Sequence, residues 1–191
     1  MAIKIEYRGK IKDIKLVNSL MDEVDEIGKT LGWKVKLAQP YSSRKKYKQY
    51  LDLFGISLTP PKSESIYFTF LQDGTLMTPT TILLDQVEEV LEEEYQASTK
   101  TQFAGPDIHL AVIQLMKYVS KKYLEDFNVK DSTDYWNTNE REDVEIAFEK
   151  VMLNLEQVEA AVKKIRLPKE TFIQSFSEAM ELVLEKKWEE L

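Results

Sequence analysis

Cysteine is absent from this chain and histidine occurs once, at His109. The first absence excludes disulfides, thiolate metal sites and a cysteine nucleophile, and fits a reducing compartment. The second excludes zinc sites built on several histidines. No stretch approaches the roughly 18 uncharged apolar residues of a membrane span, and "MAIKIEYRGK" lacks the apolar run of a signal peptide. The expectation is a soluble, cytoplasmic protein with no membrane contact. Nucleophile-elbow, P-loop, dinucleotide and kinase motifs are missing too, so no cofactor, no metal and no catalytic residue is assigned. What remains is 191 residues, long enough to bury a true core, with 33 acidic side chains among which no catalytic pair stands out.

The net charge of -7 is unevenly spread: residues 1–50 hold 12 Lys/Arg against 6 Asp/Glu, and the other 141 hold 14 against 27. A protein made to bind polyanions would be basic throughout, so nucleic acid is disfavoured as a partner. "RKKYKQY" interleaves base and aromatic, but Tyr47, Tyr50, Leu51 and Phe54 share helical spacing. That spacing turns the tyrosines inward and predicts a short helix from Ser42 or Ser43 to Phe54, with no exposed stacking platform. The acidic remainder suits a protein partner with a basic surface.

Periodicity supplies the elements. "AIKIEYRGKI" alternates as a half-buried strand; Ile14, Val17, Leu20, Val24, Ile27 and Leu31 recur as a helix between Asp13 and Gly32; "WKVKL" is a second strand. "SIYFTFLQDGTLM" reads as a hairpin around Asp73-Gly74. Residues 82–104 are ambiguous between helix and strand; Leu83, Val87 and Val90 followed by "YQASTKTQFA" favour a helix and then a strand. A helix runs from Gly105-Pro106 to about Leu124, followed by a short strand and a polar loop. Val144, Phe148, Val151, Leu155, Val158, Val162 and Ile165 keep a seven-residue repeat, and Leu167-Pro168 separates them from a second amphipathic helix carrying Phe172 and Phe176.

The pattern predicts an α+β fold: an antiparallel sheet covered by helices over residues 1–140, and a C-terminal helical hairpin over 141–191 packed on it. The order of elements is similar to that of the TATA-box-binding-protein-like fold. The hairpin's seam closes within the chain because its connector is short, which favours a monomer over a homodimer.

The candidate site lies at the strand-to-helix junction. Gly105 breaks the strand, Pro106 and Asp107 suit a first helical turn, and His109 sits at the border of the buried face. Free amides at that helix start, with Lys100, Gln102, Gly105 and His109, could hold an anionic or polar ligand. Further on, "DSTDYWNTNERED" offers oxygen donors but lacks the calcium-loop pattern, and its Tyr135 and Trp136 read as anchors of the loop to the core. "KTQFAG" (residues 100–105), His109 and "YWNT" (residues 135–138) together resemble a signature of an uncharacterised bacterial protein family. That resemblance spans residues 55–140, implies no activity, and would bring Lys100, Gln102, His109 and Trp136 to one location. The resulting expectation is a non-catalytic interaction protein with an acidic helical surface. The alternative is a small enzyme or small-ligand-binding protein with its site at His109.

Overall fold

The computed structural model describes residues 2–38, 53–85 and 96–164. Strand β1 (Lys4–Ile11) buries Ile5, Tyr7 and Ile11 and turns Lys4, Glu6, Arg8 and Lys10 the other way, the two-residue period of a sheet with one covered face. A 3-10 turn over Ile14–Leu16, capped by the Asp13 carboxylate on the Lys15 amide at 2.9 Å, leads into helix α1 (Val17–Thr30). Helix α1 buries Val17, Leu20, Val24 and Gly28 at helical spacing and ends at Gly32, whose φ of 68° suits a residue without a Cβ.

Strands β2 (Lys34–Ala38), β3 (Phe54–Thr59) and β4 (Ile66–Phe70) form an antiparallel sheet in the order β2-β3-β4. Helix α1 lies close against it: a Cβ on Gly28 would stand 2.6 Å from Leu58 Cδ2 and 2.7 Å from Val35 Cγ2. Within β3 only glycine fits at position 55, where φ is 137° and a Cβ would meet the Phe68 carbonyl oxygen at 2.1 Å. After helix α2 (Pro79–Asp85) come β5 (Ala97–Lys100), helix α3 (Pro106–Tyr123) and β6 (Leu124–Asp131). Strands β5 and β6 flank β1, both antiparallel to it. A four-residue helix α4 (Tyr135–Thr138) and helix α5 (Arg141–Lys164) follow.

The two sheets are stitched by the return arm of the Asp73-Gly74 turn. Leu71 N donates to Thr75 O and Met77 N to Thr69 O on one side, while Ile11 N donates to Gly74 O and Leu76 N to Gly9 O on the other, all at 2.9 Å. Tyr7 adds a second link, its phenol oxygen accepting the Tyr67 amide of β4 at 2.8 Å. Burial pushes that phenol's pKa up to about 12, so it remains a neutral hydroxyl across physiological pH. One core cluster unites both sheets with α1 and α3, and includes Leu20, Phe68, Phe70, Ile113 and Met116. A smaller one joins Ile3 and Leu110 to Val144 and Phe148 of α5.

The antiparallel sheets packed against helices match the expected α+β class, and α1, α3 and the strand at 97–100 fall where periodicity placed them. Phe54 is a correction. It opens strand β3 rather than closing a helix, because it pairs with Phe70 in the β3–β4 ladder. The rest of that expected helix lies outside the described residues, as do residues 86–95, Leu167-Pro168 and the second C-terminal helix. Of the seven-residue seam, Val144 and Phe148 are buried and Val151 is half-buried. The chain divides between Val151 and Met152, within α5.

Candidate functional site

The junction of β5 and α3 is built from its glycine and proline. The chain leaves β5 at Lys100, turns with Ala104 N donating to Thr101 O at 2.8 Å, and enters α3 through Gly105 at φ 91° and Pro106 at the first helical position. His109 then falls in the first turn of α3, fully buried. Its Nδ1 lies 2.7 Å from Thr101 Oγ1, and its Nε2 lies 3.1 Å from both Asp131 Oδ1 and Thr133 Oγ1. Asp131 closes the last strand: its Oδ1 accepts Thr133 N at 3.0 Å, and its Oδ2 accepts Thr133 Oγ1 at 2.9 Å and Trp136 N at 3.2 Å. Phe148 of α5 stands edge-on to the imidazole, ring centres 5.8 Å apart.

The network assigns its own protons. Thr133 gives its hydroxyl proton to Asp131, so toward His109 its oxygen can only accept, and Nε2 is therefore the protonated nitrogen. Nδ1 and the Thr101 hydroxyl share the hydrogen bond on the other side of the ring. Burial pushes the Asp131 carboxyl up, but the hydrogen bonds from His109 and from the Thr133 amide and hydroxyl outweigh it and hold its pKa below the usual aspartate value. Carboxylate, imidazole and hydroxyl thus stand in the order of a nucleophilic relay. The Thr101 and His109 side chains are both sealed from solvent, so no reacting atom can approach the hydroxyl in this conformation. What the arrangement does is fix the 101–105 turn to the β6–α4 connection with every buried side-chain polar atom satisfied.

The other expected site residues divide. Trp136 is joined to His109 through Asp131, which accepts the Trp136 amide; its ring packs edge-on to Phe127 at 5.9 Å, with Lys117 Nζ 5.5 Å from its centre. That is the anchoring arrangement expected of an aromatic in a polar loop. Lys100 faces solvent, its amide on Glu64 Oε2 at 2.9 Å and its Nζ 3.7 Å from Glu64 Oε1. Gln102 and Gly105 are half-buried in the turn. None of these four residues, nor His109, lines either of two open hollows on the described surface, one between α1 and α3 and one over the β1–β6 edge. Among the described residues no group of three or more His, Cys, Asp and Glu is placed to hold a metal, and no helix is long and apolar enough to cross a membrane.

Sequence reasoning singled out His109 but not its partners Thr101 and Thr133, and it read Asp131 only as a possible metal oxygen. The Asp-x-Thr spacing, which lets a carboxylate cap its own turn, was the available signal. Compared with known proteins, the chain matches no family model, no curated protein and no solved structure, so the likeness of "KTQFAG", His109 and "YWNT" to an uncharacterised bacterial family finds no matching family model.

Proposed function

We propose that this protein acts without catalysis, by binding another protein that presents a basic surface, in the cytoplasm. The observation that supports this reading is the sealing of His109: the single imidazole of the chain has both ring nitrogens committed to Thr101, Thr133 and Asp131 and has no exposed surface. An imidazole used for proton transfer needs a substrate within hydrogen-bond reach, and this one is spent on holding a turn. The net charge of -7 adds the long-range field that would draw a cationic partner and speed encounter. The test is affinity capture by the full chain at low and high salt, with every candidate re-expressed and its binding measured between purified components. The expected result is a basic protein whose affinity falls as salt rises. A chain that binds no purified candidate at either salt, or that turns over a small-molecule substrate with loss of turnover in His109→Gln, overturns the proposal.

A further inference from the structure

We draw no further inference here: the strongest candidate, the surface patch on helix α5 where Ile146, Met152 and Leu153 stand exposed, carries nothing because nothing in the structure shows what covers it.

Discussion

Helix α3 is held to its neighbours by two triplets of similar chemistry, and the two differ in water. At its start, Asp131, His109 and Thr101 are carboxylate, nitrogen and hydroxyl with no solvent access. Near its end, Glu23, Lys122 and Tyr118 supply the same three kinds of group at the surface. Hydrogen bonds from Lys122 and Tyr118 hold the Glu23 carboxyl down at about 2, and its pairing in turn raises the Lys122 ammonium. A large pKa displacement is therefore no measure of how much fold depends on a group. Inside, each lost partner strands a donor or acceptor that water cannot reach; outside, water replaces it.

Mutations can sharpen or break this contrast. Asp131→Ala should have the largest effect, about 3–5 kcal/mol in urea-unfolding free energy, because it removes at once the carboxylate beside His109 Nε2 and the acceptor of Thr133 N, Thr133 Oγ1 and Trp136 N. Thr101→Val keeps the shape and removes one hydroxyl, leaving Nδ1 unpaired; about 1–3 kcal/mol is expected by the same measurement. If either variant unfolds like the parent, the interior triplet is not what holds the turn.

Acid comes third. The folded pKa of Asp131 lies below its ordinary value, so its contribution to stability is present above the ordinary aspartate value of about 3.9 and is lost as pH falls through the folded value. Asp131→Asn should therefore show a shallower loss of stability below about pH 4 than the parent, measured by thermal unfolding across a pH series. A parallel pair of profiles would mean that Asp131 titrates as in the unfolded chain. The smallest effect belongs to the surface triplet: Glu23→Gln should leave the unfolding midpoint indistinguishable from the parent's, with any change vanishing in added salt. A large drop there would erase the distinction between the two triplets.

How much of this could be read in advance follows from which interactions are local. Helix α1 was legible because its cap, its stripe and its terminal glycine all lie within twenty residues of one another, and the start of α3 was legible from Gly105-Pro106-Asp107 for the same reason. Strand β3 was not. It is the middle strand of its sheet, and Gly55 and Ile56 are buried in succession, which interrupts the alternation by which a strand is recognised. Its first residue, Phe54, also happened to complete an apolar spacing with Tyr47, Tyr50 and Leu51. The site divided in the same way. His109 was visible as a lone imidazole at a helix start, but Thr101 and Asp131 reach it only once β5 and β6 are laid on either side of β1. The hollow between α1 and α3 was invisible because it belongs to neither helix alone.

The placement of β1 between β5 and β6 has a consequence for synthesis of the chain. Strand β1 is made before either of its neighbours, for Ile5 pairs with Thr99 on one side and Asp131 on the other. At roughly 5–20 residues per second, its second neighbour leaves the ribosome on the order of ten seconds after β1 does. During that interval Ile3, Ile5, Tyr7 and Ile11, all buried in the finished protein, lack one or both of the strands that flank β1. The nascent chain thus passes through a stage at which a strand destined for the middle of a sheet is still bare, and a holding chaperone has a defined stretch of sequence to grip.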